Sequence, residues 1–371
     1  MVEENSVQRE IRTANGDIYT GDQKDGRPHG RGKLVQANGD EYVGEFNQGQ
    51  RHGTGVMVMH NGQEYDGTWV KGLPHGRGRE TLLSGDIYEG EFELGKKKGH
   101  GTLTKRGGTK YTGAWDNGLP HGIGKEVHQG GQTYEGDYVR GLQHGQGKMT
   151  FQDGSQYEGH FDKGKRTEQG KLTSANGDVY EGEFEGNQRH GYGKLVMRSG
   201  SEYEGEFQNG LPHGRGKLIS NNGDVYEGQF EQGTRQGEGK LVLASGKSFE
   251  GQWQNNHPHG LIREYNPTED TYIGDYVEGK RHGHGKLTLR NGKTYEGQFK
   301  DNMPHGLGKL TEPGVLFYEG TFTPREDRFH IEGKIVYDDG RVVEGSWGGI
   351  EEDGLDNAAA EEVTGEQVEA Q

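Results

Sequence analysis

The stretch YEGEFQNGLPHGRGKLISNNGD, residues 203–224, decides the fold. Tyr203, Gly205 and Phe207 alternate with Glu204 and Glu206, the period of two that marks a strand with one dry and one wet face. A loop, QNGLPHG, follows, and then a second strand, Gly216-Lys217-Leu218-Ile219. Asn221-Asn222-Gly223 turns the chain into Tyr226, where the pattern restarts. The unit is a β-hairpin.

The same hairpin is written along almost the whole chain. A tyrosine recurs every 23 residues from Tyr19 to Tyr226, Phe249 takes the next slot, and Tyr272, Tyr295 and Tyr318 continue the series. No insertion or deletion interrupts it. A fixed period of this size means stacked copies of one supersecondary unit. The expected dry seam is a row of aromatic pairs: Tyr42 and Phe46, Tyr65 and Trp69, Tyr111 and Trp115, Tyr203 and Phe207, Tyr226 and Phe230, Tyr295 and Phe299.

The turn into each new copy sets the register. A two-residue turn at Asn222-Gly223 would put Leu218 across from Glu227, on the face opposite Tyr226. A three-residue turn puts Leu218 across from Tyr226, Gly216 across from Gly228 and Lys217 across from Glu227. A one-residue slip exchanges the faces, so the wet face decides. The three-residue register repeats a cation–carboxylate pair at Arg79–Glu89, Lys125–Glu135, Lys148–Glu158, Lys171–Glu181, Lys194–Glu204, Lys240–Glu250, Lys286–Glu296, Lys309–Glu319 and Lys334–Glu344. That register predicts an all-β fold, an elongated single-layer antiparallel β-meander of hairpin repeats stacked into a twisted rod. At ~4.8 Å per strand, fifteen copies reach roughly 140 Å before twist. Glycine between the aromatics leaves room for a neighbour's ring or leucine to lie across the backbone.

Composition alone points elsewhere. Hydrophobic residues make up 27%, glycine fills 71 of 371 positions, and the mean hydropathy is −1.09. Such values suit a disordered chain. The aromatic register overrides them, because disorder gives no reason to hold a period. The absence of cysteine excludes disulfides and thiolate metal sites. The net charge of −16 disfavours nucleic acid and anionic bilayers as main partners. No signal-peptide core or membrane span is visible, so a cytoplasmic protein is expected. Residues 1–7 read as an N-terminal extension, 8–349 as about fifteen repeats with the last two irregular, and 350–371 as an acidic disordered tail.

The string Y-E-G-E-F followed by G-x-x-H-G-x-G-K-L resembles the MORN repeat. Its loop tetrad recurs as HGRG at His29, HGTG at His52, HGIG at His121, HGYG at His190, HGRG at His213 and HGLG at His305, among others. A chain made of little else is similar to the cytoskeletal MORN-repeat scaffold proteins of protists. The resemblance implies an elongated homodimer that organises cytoskeletal structures without catalysis, associated with the cytoskeleton and bound to its proteins. The expected joint lies in copies thirteen to fifteen. A phosphoinositide-binding membrane module and an accessory subunit of an axonemal or junctional complex are the alternatives.

Departures from the pattern are few. Thr167 and Glu168 replace His-Gly in copy seven, Lys98 and Gln236 replace the loop histidine in copies four and ten, and Ile262 replaces the second loop glycine in copy eleven. Copy fourteen gains two residues, and copy fifteen has Val343 for the tyrosine. A two-copy rhythm overlies the single one. Pro28, Pro74, Pro120, Pro212, Pro258 and Pro304 occupy odd copies, where even copies place Arg51, Lys97, Gln143, Arg189, Arg235 or Arg281. All four tryptophans are in odd copies, and three accompany a glutamate in the leucine slot: Glu80, Glu126 and Glu264. The expectation is that the indole N–H bonds that carboxylate.

Catalytic motifs are not visible. Gly141 and Gly147 have five residues between them and Met149 follows Lys148, which fits no phosphate loop. No Ser-His-Asp grouping or HExxH stands out, no cofactor is implied, and the chain reads as no enzyme. Most of the 17 histidines occupy the loop column, where bonding to the turn backbone is expected. His257, His259, His282 and His284 form two H-x-H pairs in neighbouring loops, the candidate metal ligands. The lysine ladder faces glutamates, so an ion-paired face is preferred over a lipid-headgroup site.

Overall fold

The computed structural model describes residues 9–351 except 269, 313–314 and 326–327. The N-terminal extension expected for 1–7 lies outside the described residues, as does the acidic tail expected for 350–371 apart from Ile350 and Glu351, which belong to the last strand. Two compact units divide the chain, Met1–Ala175 and Asn176–Gln371. In the first, the strands run from β1 (Arg9–Arg12) to β15 (Lys165–Thr173). In the second they run from β16 (Val179–Glu185) to β30 (Val342–Glu351). Within each unit every strand pairs antiparallel with the next in sequence, an all-β meander. There is no helix among the described residues.

The register follows the three-residue turn. Between β19 (Leu211–Ile219) and β20 (Val225–Glu231), Leu218 faces Tyr226, Lys217 faces Glu227 and Gly216 faces Gly228. Ser220 N–H donates to Asp224 O at 2.8 Å, and Gly223 takes φ 92° inside that turn. Gly223 is the residue that lets the turn close in the left-handed region. Successive turns are then tied together. Asp224 Oδ1 accepts the N–H of Ala244 at 2.8 Å, and the same bond links Asp17 to Ala37, Asp40 to His60, Asp86 to Arg106 and Asp178 to Arg198.

The other end of the hairpin differs from the expected loop. β18 (Glu202–Gln208) and β19 are joined by two residues only, Asn209 (φ 52°) and Gly210 (φ 86°), a primed two-residue turn. Leu211, Pro212, His213 and Gly214 belong to the strand. Pairing passes from Gly205↔Gly216 to Phe207↔Pro212, so Glu206 alone faces the three residues His213 to Arg215 in a bulge. The sequence hid this because Gly, Pro and His read as loop residues, whereas a bulge uses them inside a paired strand.

The dry face is a continuous aromatic file within each unit. All twelve residues of the expected seam are buried. In most copies the second aromatic stands edge-on between two tyrosines, whereas Tyr276 stands between Phe249 and Tyr272. Phe46 lies 4.9 Å from Tyr19 and 5.0 Å from Tyr42, and Phe230 lies 5.1 Å from Tyr203 and 5.2 Å from Tyr226. Such edge-to-face pairs contribute about 0.5–1.5 kcal/mol each beyond burial. The ring over each glycine pair is the copy's own tyrosine, not a neighbour's. A Cβ on Gly216 would lie 2.3 Å from the Tyr203 hydroxyl oxygen. That hydroxyl donates to Glu206 O at 2.9 Å, which satisfies a buried polar group with a carbonyl freed by the bulge.

Candidate functional site

The charged face is where the chain meets its surroundings, and the bulge shapes it. Glu206 Oε1 accepts the Arg215 N–H at 3.0 Å, and the same bond joins Asp22 to Arg31, Glu183 to Tyr192 and Asp275 to His284. Gly214 takes φ 60°, and a Cβ there would stand 2.4 Å from Glu206 Oε2. The glycine after the loop histidine is therefore required by both conformation and space. In the second unit an open trough of about 870 Å³ runs over glycine backbone. Tyr192, Arg215, Glu238 and Leu261 line one side of it, with Lys217, Glu227, Lys240 and Glu250 among those opposite.

Cross-strand ion pairs neutralise that face. Arg79 bonds Glu89 at 2.7 Å, Lys125 bonds Glu135 at 3.0 Å and Lys240 bonds Glu250 at 3.2 Å. Two lysines choose a different carboxylate: Lys194 bonds Glu202 at 2.7 Å and Lys334 bonds Glu319 at 3.1 Å. These pairs are half exposed, and each contributes little to stability.

The two-copy rhythm has a physical basis on the dry face. Arg51 stacks 4.6 Å from the Trp69 ring centre and Arg235 4.9 Å from that of Trp253. Arg189 lies between Tyr180 and Phe207. In these three copies a guanidinium from an even copy thus covers the aromatic of the next odd copy. The indole–carboxylate expectation fails. Trp69, Trp115 and Trp253 donate to the backbone carbonyls of Gly55, Gly101 and Gly239 at 2.9, 3.1 and 3.0 Å. The glutamates take cations or hydroxyls instead: Glu80 bonds Lys97 at 2.9 Å, and Glu126 lies 3.4 Å from the Tyr138 hydroxyl. The carbonyl of the paired glycine beside the bulge already accepts from the indole, so no side-chain acceptor is needed.

Glu264 is the extreme case. It is buried together with Lys247, Arg281 and Tyr276. Lys247 Nζ lies 3.0 Å from Oε1, Arg281 Nε donates to Oε2 at 2.9 Å, and the Tyr276 hydroxyl donates to the same oxygen. Arg281 Nη2 stands 2.8 Å from Oε2 but outside hydrogen-bond geometry, so it contributes charge alone. Burial by itself would raise the Glu264 pKa. The cations of Arg281 and Lys247 outweigh it and hold the carboxyl below its ordinary value. Sequence reading singled out Glu264 but missed its partners. Lys247 stands in a turn column that holds Asp, Ser, Thr, Gln or, at Lys293, lysine, so the column gave little signal.

Two departures turn out to be exchanges. In copy eleven Phe249, without a hydroxyl, faces the strand where Ile262 replaces glycine, and Ile262 is fully buried. In copy seven His160 stands in the carboxylate slot and Glu168 in the glycine slot, with Glu168 Oε2 3.4 Å from His160 Nδ1 and Glu168 at φ 53°. The candidate metal ligands are not brought together. His257 and His259 lie on β23 (His257–Tyr265), His282 and His284 on β25 (Lys280–Thr288), with β24 (Thr271–Val277) between them. Two strand spacings are ~9.6 Å. Among the described residues no group of three or more His, Cys, Asp or Glu is placed to hold a metal.

Comparison with known proteins agrees with the repeat. The MORN repeat family matches at 19–41, 42–64, 65–87 and onward in steps of 23 residues to 226–248, then at 249–261, 272–294 and 295–311. The chain belongs to the MORN-repeat family, a class of repeat scaffold and binding proteins. No curated protein matches the sequence. Among solved structures, the TCP10 domain of Danio rerio CPAP in complex with a STIL peptide aligns at 12% identity and TM-score 0.32, covering 64% of this chain and 97% of that one. The Drosophila melanogaster SAS-4 TCP domain in complex with a proline-rich motif of Ana2 aligns at 14% identity and TM-score 0.25, covering 56% and 95%. At such scores nothing in those complexes carries over to this chain.

Proposed function

We propose that the protein is a non-catalytic cytoplasmic scaffold that self-associates and holds cytoskeletal protein partners at a fixed spacing. The observation that carries this reading is the tie between turns at Asp17, Asp40, Asp86, Asp178, Asp224 and Asp270, whose Oδ1 accepts a backbone N–H of the next copy and joins neighbouring copies directly. A face whose cations are mostly matched by carboxylates adds to it, since it leaves little free positive charge for a lipid surface. We place the self-association at copies thirteen to fifteen, where the last described strand, β30, carries the exposed Val342 and Val343 and has one edge unpaired among the described residues. Light scattering on the full chain should give twice 41.0 kDa, and Val342→Lys with Val343→Lys should return it to the single mass. A double-mass species in that variant would move the joint elsewhere. Retention on phosphoinositide vesicles at physiological salt, with no association with cytoskeletal fractions, would overturn the scaffold reading in favour of a lipid module.

A further inference from the structure

Four consecutive hairpin tips in the first unit are apolar and face solvent. Leu73 is 45% exposed, Leu94 59%, Leu119 47% and Leu142 51%. They belong to copies three, four, five and six. The corresponding tip positions on either side are polar: Gln48 and Gln50 in copy two, Lys163 and Lys165 in copy seven. Leu73 and Leu119 each lean toward the turn glycine of the next tip, since a methyl placed on Gly95 or on Gly141 would lie 3.8 or 3.9 Å from them.

Leu94 is the most informative member. It sits at φ 47° in the first turn position, where the other copies of this unit place Asp25, Gln48, Lys71, Asn117, Arg140 and Lys163. Left-handed backbone is costly for a branched apolar residue and tolerated by asparagine. A residue that is both strained and exposed costs stability on two counts, and such positions concentrate at sites that bind.

The backbone rules out one mode of recognition. The amides of Gly72, Gly95, Gly118 and Gly141 donate to the carbonyls of Arg51, Pro74, Lys97 and Pro120 in the preceding copy. No strand can be added to these tips, so a partner must bind through side chains. Copies three to six span three steps of two strands, ~29 Å before twist. A helix of about 20 residues has that length and presents a single apolar stripe. The charge along the row is basic in an acidic chain. Lys71 and Arg140 are exposed and make no ion pair among the described residues, and Lys96 bonds only Asn117 Oδ1, at 3.3 Å. Of the carboxylates in the row, Lys98 holds Glu93, and Asn117 Nδ2 bonds Asp116 at 3.0 Å. Lys71, Lys96 and Arg140 can therefore meet carboxylates that flank the apolar stripe of a partner helix.

The geometry points to the hairpin tips of copies three to six as a docking edge for an amphipathic helix of a protein partner, with leucines on its stripe and acidic residues flanking it. The inference rests on the scaffold reading and adds a surface and a partner chemistry to it. The test uses the full chain and a synthetic helix of about 20 residues with a leucine stripe flanked by glutamates. A second helix carries lysines in place of those glutamates. The acidic helix should bind, the basic one roughly tenfold more weakly, and the variant Leu73→Ser, Leu94→Asn, Leu119→Ser, Leu142→Ser should lose roughly tenfold for the acidic helix. Leu94→Asn alone should raise the melting temperature, which shows that lost binding is not lost folding. Equal binding of both helices, undiminished binding by the variant, or capture only by phosphatidylserine vesicles would overturn the proposal. A variant that loses the helix yet keeps its cytoskeletal association leaves the scaffold reading standing, so the two failures are distinguishable.

Discussion

Copies nine and eleven occupy the same unit and solve the same packing problem in opposite ways. In copy nine, Tyr203 lies across Gly205 and Gly216, its hydroxyl is tethered to Glu206 O, and Leu218 fills the slot beside the ring. In copy eleven the tether is gone with the hydroxyl, Ile262 fills the space of the glycine, and Glu264 with three polar partners replaces leucine. The spacing of copies is unchanged. The hairpin therefore tolerates either a tethered ring over a pair of glycines or an untethered ring with one of those glycines replaced by isoleucine, but each choice commits its neighbours.

Breaking the polar solution should have the largest effect. Glu264→Ala leaves Arg281 and Lys247 buried without their carboxylate and should cost about 3–5 kcal/mol. Glu264→Leu together with Lys247→Leu and Arg281→Leu should recover most of that loss. Amide exchange in β23 to β25 reads both, and it suits a repeat array whose unfolding need not be two-state. The sign of the pH dependence follows from the lowered Glu264 pKa. Its stabilisation is present above the ordinary carboxyl value of ~4.3 and is lost as pH falls through the folded value.

The tethered solution fails next. Gly216→Ala forces a methyl against Tyr203 and should cost about 1–3 kcal/mol. Adding Tyr203→Phe should recover part of it, because an untethered ring can shift as Phe249 does. Strictly additive losses would show that the exchange in copy eleven is coincidence. Burial also raises the tyrosine pKa values, for Tyr42, Tyr65, Tyr111 and Tyr157 to about 12. A raised folded value means stability that is complete below the unfolded value of ~10 and lost as pH climbs toward 12. Tyrosinate absorbance and far-ultraviolet dichroism should change together in that window.

The smallest effect sharpens the tryptophan comparison. Trp115→Phe removes one hydrogen bond to Gly101 O and should cost about 1 kcal/mol. Because that acceptor is backbone, the loss should be the same with Glu126→Leu present. A coupling between the two would restore the indole–carboxylate pairing that the structure contradicts.

Much of this was legible in the residues. The 23-residue period, the three-residue turn and the facing of Lys217 to Glu227 follow from alternation and charge, because strand side chains have a strict period of two. The bulge at Glu206 was not legible, since its glycine, proline and histidine carry the same signal as a loop. Nor was the joint change of Phe249 and Ile262 within copy eleven, or the contact of His160 with Glu168. Each looked like a separate irregularity in the pattern.

The sequence by itself determined the unit, its repetition, its register and its two faces, all of which are local and repeat at fixed spacing. Only the tertiary structure decided which atom each polar group bonds. Whether an indole N–H meets a carboxylate or a carbonyl, and whether a buried glutamate is neutralised, depends on where a bulge aims the backbone. Residues 10 to 20 positions apart in the chain decide that contact, and no periodicity records it.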